Sequence, residues 1–478
     1  MFDKNKIKVY NSLTNSLEDF KTLKENEVSM YVCGPTVYNY IHIGNARPVI
    51  FFDTVKRFLK YVGYKVVYAS NFTDIDDKII KAAKAENLAE EEIAKKYIAA
   101  FLDSCSKLGC EMDVIRPKVT ENIPEILDFI KRLVDKNNAY VAGDDVYFRV
   151  KSDPKYGVLS NQKLDELEVG ARIDVNDLKE DPRDFTLWKK TKDDGKKWDS
   201  PFGAGRPGWH TECVVMIHKI FNGKIDIHGG GTDLRFPHHE NEIAQEYCLY
   251  NDYLASYWMH NARLDLHGEK MSKSVGNVIW LKDILEQYPP QAFRLAILSN
   301  HYRQVINYQD DLMKQMKGEW EKIEKTYISF YRNLELKDAL DGGTVLPIMD
   351  DFLNEMAYDF NTSNALVHLY ALMKEMNKDL RNNNSELSLL QNEFKTFKDM
   401  LYILGINVDL KPLTIEEKEL VKEWQEARKN KDFQKADAAR NKITELGIRL
   451  YWNMNYWTDQ TYPILAMLIM NWLSGNIC

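Results

Sequence analysis

No surplus of positive charge marks this chain. Its 64 lysines and arginines face 72 aspartates and glutamates, a formal net charge of −8. No global basic field therefore draws in nucleic acid, and a polyanion has to be met by local patches. Cysteine is sparse. Cys33, Cys105, Cys110, Cys213, Cys248 and Cys478 include no CxxC pair, which excludes a dense disulfide framework and suits a reducing cytoplasm. Long apolar runs are missing too: Ile464 to Leu473 is too short to span a bilayer. Met1 to Val9 alternates charged and apolar residues, unlike a signal peptide. The expectation is a cytoplasmic protein with no membrane partner.

What is present is size and pattern. A chain of 478 residues is too long for one core and implies several domains. Val28 to Val32 and Lys65 to Ala69 read as buried strands flanking a helix from Pro48 to Tyr61, a βαβ unit that predicts a Rossmann-type parallel sheet. Apolar residues at helical spacing predict a helix from Asn87 to about Leu108, with Asn87 as its N-cap. From about 116 to 204 the signals change to short strands (Ala139 to Val141, Val146 to Phe148) and a Lys- and Asp-rich stretch, read as an insertion splitting the sheet. The βα alternation resumes with a helix from Trp209 to Phe221 and a strand at Ile225 to Ile227. After Leu281 the pattern is almost wholly helical, with Leu353 to Met376, Leu387 to Leu404 and Ile415 to Leu446 forming a bundle.

Two segments carry the chemistry. His42-Ile43-Gly44-Asn45 lies between a strand and a helix, where backbone N–H groups face an anion. Far downstream, Lys270-Met271-Ser272-Lys273-Ser274 supplies ammonium groups and hydroxyls from a loop-like stretch. Both ask for a polyphosphate. The pair resembles the HIGH and KMSKS signatures of class I aminoacyl-tRNA synthetases, with Asn45 in place of the last histidine. The resemblance implies that His42, Gly44, Asn45, Lys270 and Lys273 bind ATP, accompanied by Mg²⁺. The implied reaction is attack of a carboxylate on the α-phosphate, and a positioned cation favours its transition state. Lys273 is the main catalytic cation in this reading, with His42 and Lys270 beside it.

A third set is Cys33, Cys213, His238 and Glu242. No local zinc-finger spacing links them, and isolated buried cysteines commonly act as small hydrophobes. Phe236 to Glu242 reads as a helix start with Pro237 in its first turn, which puts His238 and Glu242 on one face. The segments around these residues are Met30 to Tyr38, Asn71 to Ile80, Gly205 to His210 and Asp226 to Gly231, followed by Asp233. Together they resemble cysteinyl-tRNA synthetase. That family implies one Zn²⁺ per chain on these four residues, taking the substrate thiolate as a further soft ligand. Serine offers a harder, poorer ligand, so a metal–thiolate bond discriminates beyond the roughly 1–3 kcal/mol of a shaped apolar pocket.

The same resemblance puts Thr73, Trp209, Asp233 and His228 around the substrate, with Asp233 on its ammonium. Trp209 alone would read as a core aromatic, and Asp76 and Asp77 as residues of a helix N-terminus. Lys189, Lys190, Lys192, Lys196 and Lys197 are either a basic patch for tRNA or a solvated loop. Arg428, Phe433 and Asp437 match an anticodon-binding helix pair, where Phe433 offers a face for base stacking.

The implied architecture is an α/β Rossmann-type sheet split by an insertion, followed by a C-terminal helical bundle and an anticodon-binding domain. Its boundaries are 1–115 and 205–265 for the halves of the catalytic domain, and 116–204 for the insertion. Then come 266–310 for the lysine loop and stem contact, 311–410 for the bundle, and 411–478 for the anticodon domain. The apolar tail 463–478 matches nothing in the family. The implied activity joins L-cysteine to tRNA-Cys through a cysteinyl-adenylate, in a chain expected to be monomeric. Two other readings stay open: an ATP-dependent cysteine–amine ligase of the mycothiol type, and a non-catalytic zinc-stabilised RNA-binding protein.

Overall fold

The computed structural model describes residues 2–161, 178–191, 195–271, 276–382 and 384–451, the side chain of Lys270 excepted. It divides into two compact units: Asp3–Pro290 with Asn300–Gln309, and Gln291–Ser299 with the chain from Asp310 onward.

The first unit opens with an antiparallel pair, β1 (Lys8–Asn11) and β2 (Ser16–Asp19). Next come β3 (Glu27–Val32), α1 (Ile43–Tyr61), β4 (Lys65–Ala69), α2 (Asp77–Glu86) and α3 (Glu90–Lys107). The insertion holds α4 (Ile123–Asp135), β5 (Ala139–Ala142), β6 (Asp145–Phe148), β7 (Phe185–Lys190) and β8 (Gly205–Pro207). These four strands form one antiparallel sheet in the order β5-β6-β7-β8. Then follow α5 (Trp209–Phe221), β9 (Ile225–Gly231), α6 (Glu240–Tyr250) and β10 (Ala255–Asn261). β11 (Leu264–Leu266), β12 (Glu269–Lys270), α7 (Leu281–Gln287) and β13 (Ile306–Tyr308) complete the unit.

The central sheet runs β10-β9-β3-β4, parallel throughout. Its apolar strand residues, such as Val28, Met30, Ile227 and Trp258, are buried, as a sheet covered on both faces requires. β3 pairs with β4 on one side and β9 on the other, so the strand order reverses there. A crevice opens at the carboxyl ends at such a point, and ligands of open α/β sheets bind in it.

Several boundaries differ from the sequence expectation. α1 starts at Ile43, five residues ahead of Pro48, because the His42 N–H donates to Asn45 Oδ1 and closes the first turn. Asn87 caps the wrong end for the expected role. It ends α2 in the left-handed region, φ 54°, while α3 starts after Ala89. β9 continues through Gly229–Gly231, because β10 pairs with all three glycines and β3 with Gly229. α6 begins at Glu240 rather than at Pro237, which sits in a preceding turn, Arg235–His239. β13 interrupts the otherwise helical stretch after Leu281.

The second unit contains α8 (Pro290–Leu298), α9 (Asp310–Glu335), α10 (Ile348–Ala357), α11 (Thr362–Asp379) and α12 (Leu387–Leu404), then α13 (Ile415–Lys429) and α14 (Phe433–Glu445). The expected helix from Leu353 to Met376 is two, broken where Asp359 and Phe360 take positive φ and Asn361 caps α11. α13 starts on a Thr414–Glu417 capping box and α14 on Asp432. Val421 and Ile443 join these two helices in a small core with Leu413. Among the described residues no helix is long and apolar enough to cross a membrane. The tail 463–478 lies outside them.

Candidate active site and metal centre

Cys33 follows β3 directly, at the reversal of strand order, and its N–H donates to Gly229 O of β9 at 3.2 Å. Gly34 lets the chain turn there: a Cβ on it would lie 1.7 Å from Asn71 O. Asn71 closes this turn by accepting from the Gly34 N–H at 2.8 Å. Cys213 comes from the second turn of α5, and Glu242 from the first turn of α6. His238 lies in the turn just before that helix.

These four side chains converge. Cys33 Sγ lies 3.5 Å from Cys213 Sγ and 3.6 Å from Glu242 Oε1. His238 Nε2 lies 3.8 Å from Cys213 Sγ and 2.9 Å from Glu242 Oε1. Tetrahedral zinc with bonds of about 2.0–2.3 Å separates its donors by roughly 3.3–3.8 Å. The four donor atoms all fall within 4.8 Å of one another, and two sulfurs, an imidazole and a carboxylate are an apt donor set for zinc. The site fits the ion.

A second grouping shares two of the donors. Cys33 and Glu242 also meet His228 and His239. His228 Nε2 lies 2.7 Å from Glu242 Oε2, and His239 Nε2 lies 3.4 Å from Cys33 Sγ. Both imidazoles have other support: His228 stacks on Trp258 with centroids 4.3 Å apart, and His239 Nδ1 lies 2.9 Å from His260 Nε2. His210, the last residue of the segment Gly205 to His210, lies 3.1 Å from His238 through their Nδ1 atoms, and His260, which no local pattern marks, supports His239.

Protonation follows from burial and partners. Burial pushes the Cys33 thiol well up, and its hydrogen bond to Cys213 brings Cys213 down to about 6. Burial opposes the charge on Glu242, yet His228 and His238 outweigh it and hold the carboxyl well below its usual range. Burial likewise opposes the His238 cation, and Glu242 reverses this, lifting the ring to about 10. A metal displaces such protons on binding.

Thr73 Oγ1 donates to Glu212 Oε2 at 3.0 Å and accepts from Asn71 Nδ2 at 3.3 Å. Glu212 is a buried carboxyl that sequence reasoning did not single out, although it directly precedes Cys213. Trp209, at the start of α5, stacks on His238. A cleft of about 500 Å³ adjoins the metal donors, with Cys33, His42, Gly44, Asn45, Trp209 and Asp233 in its wall. Lys270 belongs to β12, while Lys273 and Lys192 lie outside the described residues.

The first signature segment is paired through its backbone with the chain that follows the second. The Ile43 N–H donates to Ile279 O at 3.1 Å, and the Leu281 N–H donates to Ile41 O at 3.0 Å. Met271 reaches the same place, its Cε 3.3 Å from where a Gly44 Cβ would sit. Arg47, fully buried in α1, donates to the carbonyls of Ala262, Arg263, His301 and Gln304 at 2.6 to 3.0 Å. Arg428, Phe433 and Asp437 are in the second unit, on α13 and α14, with Phe433 70% exposed.

Residues 19–318 match the family model of the class I (C) tRNA synthetase catalytic domain, and residues 351–406 match the DALR domain. A cysteine–tRNA ligase of Fusobacterium nucleatum is 46% identical over 461 residues, covering 93% of this chain and 98% of that protein. One from Anoxybacillus flavithermus is 45% identical over 451 residues, covering 93% and 97%. This chain belongs to the cysteine–tRNA ligase family.

Among solved structures, Mycobacterium tuberculosis methionyl-tRNA synthetase with methionyl-adenylate superposes with a TM-score of 0.54 at 13% identity, covering 80% of this chain and 90% of that one. A likeness that remote speaks to the fold alone. Membership of a ligase family removes the reading as a non-catalytic binder. The helices of the DALR match and the coverage of entire ligases remove the amine-ligase alternative as well.

Proposed function

We propose that this chain activates L-cysteine with ATP, transfers it to the 3′ end of tRNA-Cys, and selects cysteine through zinc held by Cys33, Cys213, His238 and Glu242. When bound, the ion supplies a soft Lewis acid for a thiolate, which serine cannot match. The observation that carries this reading is the convergence of those four donors behind a cleft whose wall holds Cys33 and the α1 N-terminus. The set with Cys213 is preferred over that with His228 and His239 because it holds two soft donors.

The chain's own groups divide the remaining work. Asp233 takes the substrate ammonium, and Trp209 and Thr73 limit the space around the side chain, with His228 behind them. His42 and the N–H groups at the start of α1 meet the phosphates of Mg²⁺-ATP. Asn45 is engaged with the His42 backbone, so it contributes through the turn and not through charge. Lys273, supported by Lys270, favours the pentavalent α-phosphate. Catalysis is alignment and electrostatics, with no side-chain nucleophile.

Arg428, Phe433 and Asp437 meet the anticodon, and the six segments given above are the working domain boundaries. The enzyme is read as a cytoplasmic monomer. Cysteine-dependent ATP–pyrophosphate exchange, run against serine on protein of known zinc content, tests the proposal. Exchange with cysteine alone supports it, and equal exchange with serine overturns the selector role.

A further inference from the structure

Arg47 is a buried cation that no step above uses. It is 1% exposed and lies in the second turn of α1, just beyond His42 to Asn45. Burial alone works against its charge and brings the guanidinium down to about 9, so it stays a cation at neutral pH. Among the described residues no carboxylate pairs with it, and its Nε has no acceptor. An ion taken out of water without a partner is costly, and an apolar side chain of similar size often serves packing as well or better. Packing alone gives no reason for an arginine here.

The reason lies in what its fork holds. Nη1 donates to Ala262 O at 2.7 Å and to Arg263 O at 3.0 Å, while Nη2 donates to His301 O at 3.0 Å and to Gln304 O at 2.6 Å. Ala262 and Arg263 link β10 to β11, and β11 pairs with β12, where the lysine segment begins. His301 and Gln304 lead into β13, the other neighbour of β11. The two stretches also bond to each other: the Ala262 N–H donates to Tyr302 O at 2.8 Å, and the Ile306 N–H to Arg263 O at 3.3 Å. One helical turn beyond Arg47, Phe51 stacks on Tyr302 with ring centroids 4.3 Å apart. A planar, rigid guanidinium thus bolts the start of α1 to the small sheet that carries Lys270.

We infer that Arg47 is a positioning residue for adenylate formation: it fixes the start of α1 against the β11–β12 hairpin, so that phosphates held at His42 meet the lysine segment in register. The inference rests on the ligase reading and gives a role to a residue outside both signatures. Arg47 acts through the backbone it holds. The reaction depends on alignment, and a misplacement of about 1 Å can cost on the order of 10²-fold in rate. Lysine would keep the charge, but its single ammonium on a flexible stem cannot span four carbonyls in two chain segments.

The test compares wild type with Arg47→Lys and Arg47→Met in cysteine-dependent ATP–pyrophosphate exchange. In both variants kcat should fall by about 10²-fold, while the KM for cysteine and the zinc content stay near wild type. Transfer from added cysteinyl-adenylate to tRNA should also persist, because the phosphoryl step is then already complete. Wild-type kcat in Arg47→Lys would mean that charge suffices without the fork. Parallel losses in exchange, cysteine affinity and transfer would mean a damaged fold. Either result overturns the inference.

A second readout needs no variant, and decides the matter if both substitutions prevent folding. Ala262 and Arg263 line the cleft, whereas residues 301–304 lie outside its wall. Binding of Mg²⁺-ATP to wild type should nevertheless slow amide hydrogen exchange at 301–306 together with the start of α1, since one side chain holds both. Unchanged exchange at 301–306 would again overturn the inference. Failure of the ligase reading looks different, because wild-type protein would then show no cysteine-dependent exchange of pyrophosphate.

Discussion

Trp209 lies flat on His238, ring centroids 4.1 Å apart and planes 20° from parallel. One residue faces the cleft and the other is buried in the candidate metal grouping, so the indole covers the site it borders. Trp209→Ala should therefore loosen the metal as well as the substrate. Zinc transfer to a competing chelator should show affinity reduced roughly tenfold or more, the range for support around metal ligands. Trp209→Phe should recover most of it, and unchanged affinity in the alanine variant would remove the covering role.

Cys213 decides between the two donor groupings. Purified wild-type protein should contain about one zinc per chain, and Cys213→Ala should contain almost none, with loss of discrimination between cysteine and serine. Full retention of metal in elemental analysis would instead favour the grouping of Cys33 with His228, His239 and Glu242.

Lys273 is the cation assigned to the phosphoryl step. Lys273→Ala should slow adenylate formation by about 10²–10³ while changing the KM for cysteine little. Pre-steady-state exchange separates the two effects, and equal losses would mean binding without catalysis.

Acid sensitivity has a named contributor. Burial alone would raise Glu111, but hydrogen bonds from Lys60 at 2.8 Å and from buried Lys56 at 3.1 Å bring it to about 2. A depressed folded-state value stabilises above the unfolded value of about 4.3, and the gain is lost as pH falls towards the folded value. Glu111→Gln should lower the melting temperature at neutral pH, and the gap to wild type should close between about pH 5 and pH 2. A gap independent of pH would contradict this account.

Phe433 should act on tRNA alone. Phe433→Ala should weaken tRNA binding by about 1–3 kcal/mol if its exposed ring stacks on a base, as read from binding curves. Normal amino-acid activation should persist.

The grouping of Cys33, Cys213, His238 and Glu242 was legible through the family resemblance, and local pattern covered only part of it. His238 and Glu242 sit at helical spacing, and the two phosphate segments carry their chemistry locally. The first is tied to the chain beyond the second by long-range pairing between Ile41–Ile43 and Ile279–Leu281, which leaves no mark in either segment. Gly229–Gly231 reads as loop because glycine has weak strand preference, yet two neighbouring strands hold it in the sheet. Asn87 was legible as a cap and ambiguous as to which end, since asparagine suits both. Arg47 carried no signal at all: its four carbonyl partners are distant in sequence.

The metal donors come from both sides of the insertion, Cys33 before it and Cys213, His238 and Glu242 after. The donors that the proposed function assigns to amino-acid choice thus come from both halves of the sheet that the insertion splits. For a cell this sets the mode of failure. A chain with those donors unfilled would, on the proposed reading, lose its means of telling cysteine from serine, so scarcity of the ion would place wrong amino acids on tRNA.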